Sequence, residues 1–313
     1  MDNFWNTLPK PFLVLAPMDD ITDEPWRQML ARHGKPDVTY TEFVSADGLM
    51  SSGRERLLSK LRFSENERPI VAQIFGAKPE NIKQATALVR ELGFDGVDIN
   101  MGCPDRAIIK QGAGSALIEN PGVAREIIRA AKEGAGDMPV AVKTRLGLKK
   151  DVLDVWLLEL LAERPAAIVV HCRTAFEMSQ PPAHWDRIAD AVRIAKGTGV
   201  KIIGNGDVVS RADALKRAEE SGADGVMIGR AAIGNPFVFA GHEPTREDLL
   251  AAMVEHAELF EEIFCIQKTR SFEPVRKHLS KYCRGFRGAK ELREKVLQAK
   301  SAAEVREIVH LLQ

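Results

Sequence analysis

The chain has 313 residues, 45% hydrophobic and 28% charged, and its 44 Lys+Arg balance 44 Asp+Glu to a formal net charge of zero. This is the composition of an ordinary globular protein with no global field to attract nucleic acid, so any such partner must meet a local patch. No apolar run approaches the roughly 18 residues of a membrane span, Met1–Pro11 lacks a basic-then-apolar leader pattern, and four scattered cysteines without CxxC spacing indicate neither a disulfide framework nor a zinc site; a cytoplasmic protein with no membrane partner and no metal is expected.

Apolar, β-branched runs recur along the chain at Phe12–Ala16, Val38–Phe43, Ile70–Phe75, Gly96–Ile99, Val140–Lys143, Ala167–Val170, Val200–Ile203 and Gly225–Ile228. Helical patterns lie between them, among them Pro79–Leu92, Val123–Glu133, Val152–Ala162, Trp185–Ala195 and Arg211–Ser221. Continuous apolar runs mark strands buried on both faces, hence a parallel sheet. Eight such strands with intervening helices predict an α/β fold, a (β/α)8 TIM barrel. A doubly wound open sheet is the structural alternative.

The pattern changes after Phe239. Gly241-His242-Glu243-Pro244-Thr245 reads as a linker, with Thr245 as N-cap and Glu247 and Asp248 in the first helical turn. From there to Gln313 the periodicity is helical, broken at Gly285-Phe286-Arg287-Gly288. Residues 1–240 are therefore read as the barrel domain and residues 241–313 as a small C-terminal all-helical domain. The latter is too short for a large core of its own and is expected to pack on the barrel.

Active sites of such barrels collect at the C-terminal ends of the strands. The first strand ends in Pro17-Met18-Asp19, the second near Glu42 and the third at Gln73. The fourth reaches Asn100 and Cys103, the fifth Lys143 and Arg145, the sixth His171 and Arg173. The seventh runs into Asn205-Gly206-Asp207 and the eighth into Gly229-Arg230. Each residue alone is unremarkable, but a shared location at one barrel mouth makes them a candidate site. The glycine turns after strands seven and eight suit an anion held by backbone N–H groups and a helix N-terminus, with Arg230 as a charged donor. Lys143 with its neighbour His171 places fixed charge where an electron-accepting ring would sit. Gln73 offers an amide donor and acceptor to a ring edge. These features leave a flavin and a sugar phosphate equally open. Gly102 and Pro104 stiffen the turn that carries the Cys103 thiol.

The ordered motifs resemble the tRNA-dihydrouridine synthases over nearly the whole chain. They are Ala16-Pro17-Met18 with Thr22-Asp23, Thr41-Glu42-Phe43, Gln73-Ile74-Phe75-Gly76, Asn100-Met101-Gly102-Cys103-Pro104 and Gly112-Ala113-Gly114-Ser115-Ala116-Leu117. The series continues with Val142-Lys143-Thr144-Arg145, His171-Cys172-Arg173-Thr174, Gly204-Asn205-Gly206-Asp207 and Gly225-Val226-Met227-Ile228-Gly229-Arg230. The resemblance implies an FMN-binding barrel followed by a helical RNA-binding domain. It implies reduction of the C5–C6 bond of a uridine in tRNA, with NADPH as reductant. By similarity Pro17, Met18, Asp19, Gln73, Lys143, His171, Asn205, Gly206, Asp207, Gly229 and Arg230 would hold FMN, and Cys103 would be the general acid. Asp105-Arg106 and Ala175–Ser179 depart from the family pattern, which commonly has lysine at the first and more basic and Tyr/Gly residues at the second.

A thiol with an ordinary pKa near 8.5 is protonated at neutral pH and can donate. A thiolate nucleophile, favoured by the sequence neighbours Arg106 and Lys110, is the alternative. Cys172, Cys265 and Cys283 are expected to be inert. Extruding a stacked base costs a few kcal/mol, which binding elsewhere on the RNA must offset. Between Cys265 and Lys300 eleven basic residues face three acidic ones, a local excess of eight in a neutral chain. With Tyr282 and Phe286 available to stack or pack, this segment reads as an RNA phosphate footprint. Asn100, Arg145, Arg173, Lys281, Arg284 and Arg287 are the expected substrate contacts. A monomer is expected. The competing readings are a small-molecule FMN oxidoreductase of the dihydroorotate or dihydropyrimidine dehydrogenase type and a noncatalytic RNA-binding module. The basic segment opposes the first, and Cys103, Lys143 and His171 oppose the second.

Overall fold

The computed structural model describes residues 3–311; residues 1–2 and 312–313, the outer tips of the two expected domains, lie outside the described residues. Its strands are β1 (Phe12–Leu15), β2 (Thr39–Ser45), β3 (Ile70–Phe75), β4 (Gly96–Met101), β5 (Val140–Arg145), β6 (Ala167–His171), β7 (Lys201–Asn205) and β8 (Gly225–Ile228). They form one parallel sheet in the order β1-β8-β7-β6-β5-β4-β3-β2. The seam between β1 and β2 closes through a bridge from Val14 to Val38, where the Leu15 N–H donates to the Val38 carbonyl at 3.0 Å. The predicted barrel is present.

Side chains alternate along a strand, so every second residue points inward. Phe12, Val14, Tyr40, Val71, Ala141, Val169, Ile203 and Met227 fill the barrel interior. Two residues beyond Val71, Ala141, Val169 and Ile203 come Gln73, Lys143, His171 and Asn205. The same alternation that packs the core thus sets a ring of polar groups on top of it.

Five strands run further than their apolar runs, β2 through Ser45 among them. β4, β5, β6 and β7 continue through Met101, Arg145, His171 and Asn205 because Asn100 pairs with Lys143, Arg145 with His171, and His171 with Asn205. Ladder pairing is a backbone property, and a polar side chain facing a cavity does not end it. In β2 the register shifts between Tyr40 and Phe43. Consequently Phe43 reaches the mouth, while Glu42 turns toward the seam under the C-terminal helices.

The helices Pro79–Glu91, Pro121–Ala135, Leu153–Ala162, Asp186–Ala195 and Arg211–Ser221 lie close to their expected limits. A further helix, Glu24–His33, is capped by Asp23, whose carboxylate accepts the Trp26 N–H at 3.1 Å. Thr245 caps Arg246–Phe260 in a reciprocal box with Asp248. Arg276–Tyr282, Ala289–Val296 and Ala302–His310 follow. These helices share one hydrophobic cluster with the barrel, joining Trp26, Leu30, Ala214 and Ile228 to Leu250, Phe260, Tyr282 and Val305. Helix Arg276–Tyr282 lies directly on the loop after β8. Gly234 there has φ +62, and a Cβ on it would stand 2.6 Å from the Lys281 Cβ and 2.7 Å from the His278 carbonyl. Among the described residues no helix is long and apolar enough to cross a membrane.

Candidate active site

The strand ends enclose a cavity of about 780 Å3, within the range of small-molecule sites. Of the residues singled out from the sequence its lining includes Pro17, Met18, Gln73, Asn100, Cys103, Lys143, Arg145, His171, Arg173, Asn205, Gly206, Asp207, Gly229 and Arg230, but not Glu42.

The cysteine turn is braced from several sides. The Asn100 Oδ1 accepts the N–H groups of Gly102 at 3.1 Å and Cys103 at 2.9 Å. The Cys103 carbonyl accepts the Ser115 N–H at 3.1 Å and its hydroxyl at 2.9 Å. Arg145 donates from Nε to the Gly102 carbonyl at 2.8 Å, and Asp105 caps the short helix Arg106–Lys110. Burial pushes the Cys103 thiol above its ordinary range, against the opposing hydrogen bond of the Asp105 N–H, while the Asp105 charge acts with burial. The cations that act on it are Arg145 and Lys143; Arg106 and Lys110 are not among them. The thiol is therefore protonated at neutral pH, the state of an acid rather than of a thiolate nucleophile.

A chain of hydrogen bonds runs beneath this turn. Gln73 donates from Nε2 to Asp98 at 2.7 Å and accepts at Oε1 from the Asn100 Nδ2 at 3.0 Å. Burial and then the Arg145 charge lower Lys143 to about 8, with Asp98 pulling the other way. Burial and the surrounding cations Arg145, Lys143 and Arg173 hold His171 far below its usual range, so its ring is neutral. Of the pair Lys143 and His171, only Lys143 carries positive charge.

At the other end, the turn after β7 carries Gly206 at φ +134, where a Cβ would meet that of Ala183 at 2.9 Å. The Asp207 carboxylate binds Arg173, receives Arg230 at 2.6 Å and accepts the Ala183 N–H at 3.0 Å. Arg230 is largely exposed apart from this pair. Arg173 is almost fully buried and gives Nε to the Pro181 carbonyl at 2.7 Å. Arg145 likewise gives Nη1 to the Thr174 carbonyl at 3.0 Å. Both arginines line the cavity, yet most of their donors hold loops in place.

Asp19, Lys281, Arg284 and Arg287 do not line the cavity. The Asp19 side chain pairs with Lys60 at the surface. Lys281 is exposed on helix Arg276–Tyr282 beside the β8 loop, and Arg284 and Arg287 are exposed in the loop between that helix and Ala289–Val296. Tyr282 is fully buried, edge-on to Trp26 at 6.4 Å, and so is a packing residue. Sequence reading missed Asp98, Phe43 and Ser115. Asp98 could have been found as the inward position two residues before Asn100, whereas the bulge that aims Phe43 leaves no mark in the sequence.

A family model described as dihydrouridine synthase (Dus) matches residues 14–313. A "Probable tRNA-dihydrouridine synthase 2" of Bacillus subtilis (strain 168) is 42% identical, covering 98% of this chain and 96% of the relative. A "Probable tRNA-dihydrouridine synthase" of Staphylococcus aureus (strain COL) is 41% identical over 98% and 95% of the two chains. Among solved structures, morphinone reductase in complex with tetrahydroNAD superposes with a TM-score of 0.51 at 14% identity, covering 76% of this chain and 89% of that one. That likeness is one of barrel fold.

Proposed function

The chain belongs to the dihydrouridine synthase family, and from that premise we propose that it reduces the C5–C6 bond of uridines in tRNA, with FMN as cofactor and NADPH as reductant. The donor set fits a flavin mononucleotide. Gln73, Lys143 and the neutral His171 line the cavity together with the glycine turns at Gly206 and Gly229 and with Arg230, a set suited to a phosphate. Pro17, Met18 and Asn205 are also in the lining. The chemistry a bound flavin would supply is hydride transfer to the uracil.

The remaining work falls to the protein's own groups. Lys143 presents a positive charge already oriented at the cavity, which favours negative charge developing there without reorganisation. Cys103 holds a proton on a braced turn opening into the same cavity and delivers it to C5. Asn100 and the Cys103 turn position the base, and Arg145 and Arg173 keep the surrounding loops in shape. Residues 1–240 are the catalytic domain and residues 241–313 the RNA-binding domain, whose exposed Lys281, Arg284 and Arg287 meet phosphates. The cytoplasm is the place of action.

The observation that carries this reading is Cys103 on its braced turn, lining the same cavity as Lys143 and Gln73. The test is a position-by-position dihydrouridine map of tRNA from cells lacking the gene, with purified protein used to restore the modification. Loss at defined positions is expected; an unchanged map overturns the proposal. Purified protein should also absorb near ~450 nm through bound flavin.

A further inference from the structure

We infer that Asp98 is a positioning residue of this site: from beneath the cavity it turns the Gln73 amide, through Asn100 it fixes the Cys103 turn, and it faces Lys143 as counter-charge. The inference rests on the proposed function only for the meaning of the site, not for the geometry.

Asp98 is fully buried on β4, two residues before Asn100 and on the same inward face. Its Oδ2 accepts from the Gln73 Nε2 at 2.7 Å, and its Oδ1 lies 3.5 Å from the Tyr40 hydroxyl. Ionised, the Asp98 carboxylate offers no donor, so Gln73 turns its NH2 toward Asp98 and its carbonyl toward Asn100. Asn100 then presents Nδ2 to Gln73 at 3.0 Å and Oδ1 to the Gly102 and Cys103 N–H groups. The far end of the chain consists of backbone N–H groups that can only donate. Acceptor at one end and donors at the other enforce a single orientation for both amides. Reversing either would set donor against donor in a buried place, where an unmade hydrogen bond is expensive.

The second role is electrostatic. On the paired strands Asp98 is registered with Ala141 and Asn100 with Lys143, so Asp98 lies one inward position below Lys143 on the neighbouring strand; Lys143 has no ion-pair partner among the described residues, and Asp98 is the carboxylate that acts on it. Lys143 in turn holds down the Asp98 carboxyl, which burial pushes up to about 7. The net positive charge offered to the cavity is therefore set by Asp98 as well as by Lys143.

Two variants separate the roles. Asp98→Asn keeps an acceptor for Gln73 and removes the charge; Asp98→Ala removes both. The readouts are the alkylation rate of Cys103 in flavin-free protein, followed by peptide mass spectrometry so that Cys265 is resolved, and the midpoint potential of bound FMN. Asp98→Ala should raise Cys103 alkylation about tenfold, the scale of one lost buried hydrogen bond. Asp98→Asn should leave alkylation near that of the parent and move the potential to a more positive value, since Lys143 is then unopposed. Should Asp98→Ala fail to fold, Gln73→Leu cuts the same chain one residue on and must give the same rise. Unchanged alkylation in Asp98→Ala or Gln73→Leu overturns the positioning role, and an unchanged potential in Asp98→Asn overturns the counter-charge. Because alkylation needs neither tRNA nor flavin, failure of the proposed function would leave that result standing and be recognised separately.

Discussion

At the barrel mouth, Lys143 is enclosed with no ion-pair partner among the described residues, and burial lowers it to about 8. At the seam between barrel and C-terminal helices, the buried Glu42 meets Lys60 at 3.1 Å and Arg270 at 3.3 Å and accepts the Asp20 N–H at 2.8 Å. Nearby, Arg27 and Glu67, both without exposed side-chain surface, pair at 2.5 Å. Breaking a buried pair is costly, so the seam keeps its charges matched. Burying a cation without a direct ion pair is also costly, and at the mouth Lys143 is opposed only by Asp98 on the neighbouring strand, which leaves it available to negative charge developing in the cavity. The two regions thus separate what holds the molecule together from what it holds ready for chemistry.

The sharpest way to break that division is at the mouth. Cys103→Ala should keep the bound flavin and its yellow colour while lowering dihydrouridine formation by about 10²- to 10⁴-fold, the usual worth of a general acid. Normal turnover would remove the thiol from the mechanism. Next in size is Arg270→Met, which strips one partner from a buried carboxylate and should cost about 3 kcal/mol in urea unfolding without weakening flavin affinity. Its mirror is Lys143→Met, expected to weaken FMN binding about tenfold, the scale of a lost charge-assisted bond, with stability held or slightly raised. If Lys143→Met destabilised and Arg270→Met released flavin, the division drawn above would be reversed.

A smaller effect tests the surface. Not every cation of the basic segment is available to RNA. Arg270 is tied to Glu42, Arg276 donates to the Ala299 carbonyl at 2.8 Å, Lys277 pairs with Asp20 at 3.3 Å, and Arg293 caps the Ser280 carbonyl at 3.2 Å. Lys281, Arg287 and Lys290 are exposed and make no ion pair among the described residues. Replacing these three by alanine should raise KM for tRNA with kcat unchanged and flatten the dependence of log KM on log salt by about two units. A salt slope equal to the parent's would move the footprint elsewhere.

The contrast between the regions also explains what the sequence disclosed. The mouth was legible because one rule governs it. Strand ends point to one side, alternation fixes which residues face in, and Gln73, Lys143, His171 and Asn205 each follow an interior apolar residue by two. The seam was legible only as a quantity, an excess of positive charge. Which arginine is structural depends on long-range partners such as Glu42 and Asp20, far away in the chain, and no local period encodes them. Tyr282 shows the same limit. An aromatic among basic residues suits a stacked base, yet it lies on the buried face of Arg276–Tyr282 against Trp26. Asp98 was missed for another reason: an acid inside an apolar run reads as an interruption until its partners on neighbouring strands are known.

The smallest predicted effect sets the two regions against each other in acid. His278 receives the Gly234 N–H on Nδ1 at 3.2 Å and faces the Ile21 carbonyl with Nε2 at 3.0 Å, so its tautomer is fixed and its ring neutral. Burial lowers it to about 3, and His256 beside it is also lowered by burial and by His278. A histidine whose folded pKa lies below its unfolded value of about 6.5 gives stability that is present above 6.5 and is lost as pH falls toward the folded value. Each such ring should cost the seam about 1.4 kcal/mol by pH 5.5. Asp98 and Asp23 behave oppositely: burial raises both to about 7, so they destabilise the fold as pH rises toward 7 and recover stability on acidification. A global unfolding curve would therefore show partial cancellation, and only a local measurement separates the terms. Hydrogen exchange, corrected for its intrinsic pH dependence, should show helix Arg276–Tyr282 losing protection between pH 7 and 5.5 while β4 keeps or gains it. His278→Asn, which retains an acceptor for Gly234 but cannot titrate, should flatten the loss in that helix and leave β4 as it was. Equal acid sensitivity of helix and strand would mean that the histidines at the seam do not govern its docking.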